Sequence, residues 1–294
     1  MSIFTGAGVA MITPFKEDLS VDYDQLEKFI DFQIDNGTDS IIICGTTGEA
    51  STMSHDEQIE VIGACVSHVN KRVPVIAGAG ANCTDEALSL GKRAQGVGAD
   101  GLLVVTPYYN KATQGGLKEY YTTIAAAVDI PIIMYNVPGR TGTNIQPKTA
   151  AEIARTAENV VAIKEASGDL SQVANVAYES QGDLDIYSGN DDQVLPVLSL
   201  GGKGVISVLS NVAPRETHDM VAKFMEGDTK GALDIQMKYL EVIHKLFCEV
   251  NPIPVKRAVS EMGYCRDLLS RPLTEMEEAN AQQLIKAMKE TGIL

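Results

Sequence analysis

Basic residues are scarce in this sequence. Lysine and arginine together number 24 against 39 aspartates and glutamates, which gives a formal net charge of -15 over 294 residues. Few positive charges occur together, so neither nucleic acid nor an anionic membrane surface is an expected partner. No apolar run is long enough to span a bilayer, and the N-terminus lacks the basic and apolar regions of a signal peptide.

Cysteine and histidine are also few. The five cysteines are an odd number and include no CxxC pair, which, without a signal peptide, predicts reduced thiols and a cytoplasmic location. The four histidines form no HxH or HExxH spacing, so no metal site is expected.

The glycine motifs of nucleotide-binding folds are missing as well, since no GxGxxG opens a first helix and no P-loop is present. Short apolar runs rich in valine and isoleucine recur instead, with turn signals at both ends. Such runs are typical of parallel strands that are covered on both faces. They occupy residues 8–14, 40–48, 73–80, 101–109, 131–139, 160–168, 184–190 and 203–211.

Helical patterns lie between these runs. The pattern at 22–37 places four apolar residues on one face: Leu26, Phe29, Ile30 and Ile34. Ser54 and Glu57 form a capping box, and Thr84 opens another helix. Eight alternating strands and helices predict an α/β fold, a (β/α)8 TIM barrel, with an open doubly wound sheet as the alternative.

The pattern changes after the eighth run. Helical periods occupy 213–226, 229–249, 252–263 and 274–291, and the last has a capping box at Thr274 and Glu277. The first of these helices would complete the barrel. We therefore expect a catalytic barrel at 1–226 and a C-terminal helical region at 227–294 that packs on it.

Polar side chains collect at the predicted strand ends, where TIM barrels carry their active sites. They include hydroxyls, phenols, one amine and one guanidinium. The segments are 46–49, 106–110, 135–140, 164–165 and 188–191.

Lys164 is the most unusual of these residues, because it directly follows four apolar residues. A two-residue period places Val160, Ala162 and Lys164 on one face. If that face lines the barrel, burial would lower the lysine pKa and make the amine a nucleophile toward carbonyls. An isolated lysine there would more often reach water or pair with an acid, but Tyr135 at the neighbouring strand end favours the catalytic interpretation.

The remaining candidates each have two interpretations. Tyr135 could transfer protons or pack at the rim with its hydroxyl bonded. Thr46 and Thr47 could hold a carboxylate or form a helix-entry turn. Arg140 could bind a second carboxylate or form a surface ion pair. For the run Asn190-Asp191-Asp192, capping of the next helix is favoured over a metal site.

Six motifs, taken together, resemble those of a known family. They are GTTGE (45–49), TPYYNK (106–111), YNVPGRT (135–141), IKEASGD (163–169), IYSGND (186–191) and GVISV (204–208). Their order and spacing resemble the pyruvate-dependent class I aldolase superfamily and, within it, the 4-hydroxy-tetrahydrodipicolinate synthase (dihydrodipicolinate synthase) family. The resemblance runs from about residue 4 to the end.

The resemblance implies condensation of pyruvate with L-aspartate 4-semialdehyde in lysine and diaminopimelate synthesis, with no cofactor. Lys164 would form the Schiff base, and the proton relay would consist of Tyr135, Thr46 and Tyr109. Pyruvate would lie against Thr46, Thr47 and the backbones of Gly189 and Ile206, and Arg140 would bind the carboxylate of the semialdehyde. Tyr109 would reach a neighbouring subunit, which implies a homo-oligomer, at least a dimer and commonly a homotetramer.

The resemblance also implies a site at the subunit interface for inhibition by lysine. Its positions would be Ala50, Ser51, His55, Gln58, Asn82, Glu86 and Tyr108. Lysine-sensitive bacterial relatives often carry histidine where Gln58 stands, so the response to lysine is left open.

Two other functions remain as alternatives. A sibling aldolase, such as N-acetylneuraminate lyase or a keto-deoxy-sugar-acid aldolase, would share the lysine, the tyrosine and the carboxylate turn, and Arg140 discriminates because a guanidinium suits an acidic aldehyde. A non-catalytic sensor of pyruvate would keep the barrel, but it has no need of a proton relay.

Overall fold

Eight parallel strands form a closed barrel in chain order, in which β8 pairs with β1. The structure is a computed structural model that describes residues 2–294. The (β/α)8 TIM barrel is thus confirmed, and the open sheet is excluded. The strands are β1 (Gly6–Ala10), β2 (Ser40–Ile43), β3 (Val75–Gly78), β4 (Gly101–Val105), β5 (Ile132–Asn136), β6 (Val160–Glu165), β7 (Asp185–Ser188) and β8 (Gly204–Ser207).

Helices surround the barrel, and three more follow the last barrel helix. They are α1 (Tyr23–Asp35), α2 (His55–Val69), α3 (Thr84–Gly96), α4 (Gln114–Ala125), α5 (Pro138–Thr141), α6 (Pro147–Thr156), α7 (Leu170–Ser180), α8 (Val194–Ser199), α9 (Pro214–Met225), α10 (Thr229–Lys245), α11 (Ile253–Glu261) and α12 (Glu278–Thr291). Among residues 2–294, no helix is long and apolar enough to cross a membrane.

Local sequence signals account for most helix positions. The capping box of Ser54 and Glu57 is present at the start of α2, and α3 begins at Thr84 as predicted. On α1, however, Ile34 is only half-buried and Gln33 is buried instead. Gln33 fits there because its amide donates to the carbonyl oxygen of Ser210 and accepts from the Thr38 hydroxyl, so the polar group is satisfied.

Two aromatic side chains fill the barrel interior at the end where the strands begin. Tyr187 stacks on Phe4 with ring centroids 4.4 Å apart, and its hydroxyl donates to the carbonyl oxygen of Phe4. Phe4 precedes β1, so this pair fills the end of the barrel at which the strands begin. The strand ends at the opposite side therefore form the accessible mouth.

Strand β6 contains an irregularity that the sequence pattern did not reveal. The pairing with β5 slips by one residue, since Ile132 pairs with Val160 but Ile133 pairs with Ala162. Ala162 lies in the barrel interior as predicted, whereas Val160 packs outside between strand and helices. The prediction that Val160 shares the interior face was wrong, because Val161 is an extra residue in the strand.

The C-terminal helices pack on the barrel. Helix α9 lies against β1 and β8 and completes the barrel, while α10 packs on α9. The capping box predicted at Thr274 is absent, because α12 begins at Glu278 and the carboxylate of Glu249 accepts from the backbone N–H of Glu277 instead. We propose, on the chain order of these helices, the division into 1–226 and 227–294.

Candidate active site

Lys164 lies in the barrel interior near the C-terminal end of β6. It is 5% exposed, and its Nζ lies 4.4 Å from the centroid of the Tyr135 ring. The two residues are direct neighbours because Tyr135 pairs with Lys164 in the register of β5 and β6. The sheet therefore aims the amine and the phenol into the same space.

Burial lowers the pKa of Lys164 from 10.5 to about 8. The positive charge of Arg140 acts in the same direction, whereas the carboxylate of Asp191 opposes it. A fraction of the amine is consequently neutral near pH 7, as a nucleophile toward a carbonyl carbon requires.

Asp191 belongs to this environment, although its sequence position predicts a cap of the next helix. Its carboxylate accepts hydrogen bonds from the Ser207 hydroxyl at 2.5 Å and from the backbone N–H groups of Val208 and Leu209 at 3.0 Å each. No side-chain cap is formed at the short turn that follows Asn190, so the capping prediction was wrong. Burial raises the pKa of Asp191. Its position three residues after the end of strand β7 was the signal available in the sequence.

Tyr135 is buried beside the lysine. Burial raises the pKa of its phenol, while the charge of Arg140 and the side chain of Thr46 act in the opposite direction. The phenol therefore stays protonated at neutral pH and is available as a proton donor.

Thr46 and Thr47 lie on the turn that follows β2, with Thr47 buried and Thr46 exposed to the mouth. The Thr13 hydroxyl donates to the carbonyl oxygen of Gly48 at 2.7 Å, and the backbone N–H of Glu49 donates to the carbonyl oxygen of Thr46 at 3.1 Å. The turn is thus fixed by its neighbours and not only by its own sequence.

Arg140 lies on the short helix α5, directly after β5. It forms no ion pair among residues 2–294, and its Nη2 donates to the backbone carbonyl oxygen of Asn251 at 3.4 Å. The amide of Asn251 also donates to the Thr47 hydroxyl at 3.0 Å. Asn251, for which the sequence pattern predicts no role, therefore links the two predicted carboxylate-binding groups.

Gly189 directly follows β7, and Ile206 lies in β8. A Cβ built at Gly189 would lie 2.5 Å from that of Ala166, so a side chain has no room there. Ile206 is fully buried in the barrel interior. Gly189 lines the same cavity as Lys164, whereas Ile206 lines neither of the two cavities described below.

A cavity of about 60 Å³ holds most of the predicted site. Thr46, Thr47, Tyr135, Arg140, Lys164 and Gly189 line it, together with Phe247 and Asn251 from the C-terminal region. Thr46, Tyr135 and Arg140 also line a second cavity of about 320 Å³, so the two cavities adjoin. The polar groups predicted from separate strand ends therefore do converge.

Tyr109 is the exception. It is 92% exposed, its φ of 71° lies in the left-handed region, and it lines neither cavity. Within one chain, the phenol of Tyr109 is consequently not part of the site.

Only some of the positions predicted to bind lysine as an effector lie around one cavity. Ala50, Ser51, His55, Gln58 and Tyr108 line the larger cavity, whereas Asn82 and Glu86 do not. Burial raises the pKa of Tyr108, and the charge of Glu86 adds to that rise. The amide of Gln58 donates to the carbonyl oxygens of Ala50 and Met53, so it already holds the turn before α2.

Among residues 2–294, no group of three or more histidine, cysteine, aspartate or glutamate side chains is placed to hold a metal ion.

Comparison with known proteins decides the family. The model of the dihydrodipicolinate synthetase family matches residues 3–291. The chain belongs to this family. It is 60% identical to the 4-hydroxy-tetrahydrodipicolinate synthase of Lachnoclostridium phytofermentans over all 294 residues of both chains.

Solved structures agree with this assignment. A dihydrodipicolinate synthase from Thermotoga maritima superposes with a TM-score of 0.98 at 41% identity and covers 100% of each chain. A monomeric dihydrodipicolinate synthase variant gives a TM-score of 0.97 at 41% identity, over 99% of this chain and 98% of that one.

Proposed function

We propose that this chain is a 4-hydroxy-tetrahydrodipicolinate synthase, a lyase that condenses pyruvate with L-aspartate 4-semialdehyde in lysine and diaminopimelate synthesis. Family membership supports the reaction, because relatives of the same length carry that name. The observation that carries the mechanism is the buried amine of Lys164, whose pKa of about 8 lies far below that of a free lysine.

Lys164 would begin the reaction by adding to the ketone carbon of pyruvate. Loss of water gives an imine, and removal of a methyl proton gives an enamine. The enamine carbon then forms a bond to the aldehyde carbon of the semialdehyde, and the aldehyde oxygen takes a proton to become a hydroxyl. The amino group of the same substrate finally attacks the imine carbon, closes the ring and releases Lys164.

Tyr135 is the group best placed to move these protons. Its ring lies against Lys164, and its phenol stays protonated. The phenol contacts the side chain of Thr46, which is exposed at the barrel mouth. Tyr109 would complete the relay from a neighbouring subunit, which fits an exposed aromatic side chain with no role in its own chain.

The two carboxylates of the substrates would bind at different places. Thr46 and Thr47 would hold that of pyruvate, next to Gly189 and the strand of Ile206. Arg140 would hold that of the semialdehyde, because its guanidinium has no acidic partner among residues 2–294. Such a guanidinium favours an acidic aldehyde over a sugar.

The assembly and its regulation extend this proposal. We expect a homo-oligomer, a homotetramer, in which Tyr109 is covered, although a similar structure is that of a monomeric variant. Lysine would bind at the effector positions named above only if the assembly brings Asn82 and Glu86 to the positions that line the larger cavity. We also expect a cytoplasmic location, because an odd number of cysteines without a CxxC pair is typical of reduced thiols.

The test is turnover of pyruvate with L-aspartate 4-semialdehyde beside cleavage of N-acetylneuraminate, with Lys164→Ala as the control. We expect condensation that is lost in the variant. In the unaltered enzyme, borohydride should reduce the imine of pyruvate with Lys164 to a stable adduct. Cleavage of the sugar acid without condensation would favour a sibling aldolase. Pyruvate binding without turnover of any aldehyde would favour a sensor.

A further inference from the structure

A second lysine is buried in this protein as deeply as the nucleophile. Lys256 lies on α11, and its side chain and that of Glu49 are both fully buried. Its Nζ lies 2.8 Å from Oε1 of Glu49, donates to the carbonyl oxygen of Thr13 at 2.5 Å and lies 4.3 Å from the centroid of the Phe15 ring. None of these contacts takes part in the mechanism described above.

Glu49 is the last residue of the GTTGE turn that carries Thr46 and Thr47. Its φ of 58° lies in the left-handed region, which disfavours a residue with a side chain. Its other carboxylate oxygen accepts from the backbone N–H of Ser270 at 2.8 Å. The two anchors of the carboxylate thus hold the backbone at Glu49 in a conformation that it would not favour alone.

The C-terminal region therefore holds this turn at two points. Lys256 and Ser270 bind Glu49 at its end, and the amide of Asn251 binds the Thr47 hydroxyl at its centre. All three residues lie beyond residue 226, outside the strands that carry Lys164 and Tyr135.

Stability does not explain such a pair. Removal of two charges from water is costly, and apolar side chains of similar volume often stabilise a protein as well as a buried ion pair does. What an ion pair adds is a fixed geometry, because each charged atom must keep its partners within hydrogen-bond distance.

We propose that Glu49 and Lys256 are positioning residues whose ion pair holds the turn of Thr46 and Thr47 in the conformation that binds the carboxylate of pyruvate. This inference rests on the proposed function. It assigns to the C-terminal region a part in the affinity for the first substrate, although no side chain of the pair touches that substrate.

The test is the double variant Glu49→Gln with Lys256→Met. Both charges are lost with little change in volume, so that no single charge remains buried without a partner. We expect the half-saturating pyruvate concentration for borohydride trapping, and the KM for pyruvate, to rise about tenfold, a loss of about 1.4 kcal/mol in binding. The KM for the semialdehyde should stay within twofold, because Arg140 is not altered.

The matched control is Glu241→Gln with Lys245→Met. It removes an ion pair of the same chemical type from the surface of α10, where the Nζ of Lys245 and Oε1 of Glu241 are 3.4 Å apart. Both KM values should remain those of the unaltered enzyme.

Three results would overturn the inference: an unchanged pyruvate KM in the folded double variant, an equal rise of both KM values, or a loss confined to kcat. If the double variant does not fold, Glu49→Asp, which keeps both charges but shortens the carboxylate side chain by one methylene, is measured in the same way, and an unchanged half-saturating pyruvate concentration overturns the inference. Failure of the unaltered enzyme to condense the two substrates would instead refute the proposed function.

Discussion

Replacement of the nucleophile should make this protein more stable. Lys164→Met exchanges a buried amine for an apolar side chain of similar length at a position that is 5% exposed. The amine is mostly protonated at pH 7, and burial of that charge is unfavourable. We therefore expect the free energy of unfolding to increase in the variant, while the activity is lost.

The magnitude follows from the pKa. The value falls from 10.5 to about 8 on burial, and about 1.4 kcal/mol for each pH unit of that difference gives about 3 kcal/mol. Between these two values the unfolded chain binds more protons than the folded protein, so the stability of the unaltered enzyme rises with pH. The advantage of the variant should be complete below pH 8 and vanish toward pH 10.5.

Lys256→Met should have the opposite sign. That substitution leaves the carboxylate of Glu49 buried without its cation, which typically costs about 3–5 kcal/mol. The two buried lysines therefore differ in what surrounds them: Lys164 lacks a bound acid and is reactive, whereas Lys256 is paired with the carboxylate of Glu49.

Urea unfolding at pH 7 and pH 10 gives the free energies of unfolding of the unaltered enzyme, Lys164→Met and Lys256→Met. All are measured at one protein concentration, because assembly contributes to stability. Lys245→Met is the surface control and should change little. The reasoning is refuted if Lys164→Met is no more stable than the unaltered enzyme at pH 7, or if its advantage does not depend on pH.

Three further predictions concern catalysis. The rate of borohydride trapping of pyruvate on Lys164 should rise about fivefold from pH 7 to pH 8 and level off above pH 9, because the neutral amine reacts; a rate that does not vary with pH would contradict the lowered pKa. Tyr135→Phe should reduce kcat by about 10²- to 10⁴-fold without loss of the pyruvate adduct, as steady-state kinetics and mass spectrometry will show. An active Tyr135→Phe enzyme would place the relay elsewhere. Arg140→Ala should raise the KM for the semialdehyde by about tenfold or more, since a charge-assisted contact of about 1.5–3 kcal/mol is removed, and pyruvate trapping should stay within twofold; equal effects on both substrates would disprove the separate carboxylate sites.

The barrel was predictable because each strand carries its own signal. Buried parallel strands are continuous apolar runs, and in this sequence the polar residues follow directly at the end of each run. The sequence alone thus places Lys164, Tyr135 and Arg140 at one mouth of the barrel. The resemblance to the family added their roles, which remain proposals.

What could not be predicted depends on contacts between distant parts of the chain. Asn251 and Lys256 lie in helical patterns that give no reason to expect them beside residues 47 and 49. The carboxylate of Asp191 finds its partners on the following strand end, so it was mistaken for a cap. Tyr109 points away from its own chain, and a pattern within one sequence does not show which molecule it meets.

The extra residue in strand β6 bears on how related barrels are aligned. The slip is absorbed between Val160 and Ala162, before the strand reaches the nucleophile. The inward direction of Lys164 is therefore set by its distance from the end of the strand at Glu165 and not by its distance from the start of the strand. Positions in this strand are best numbered backward from Glu165, and a residue gained or lost at the beginning of the strand leaves the amine pointing into the barrel.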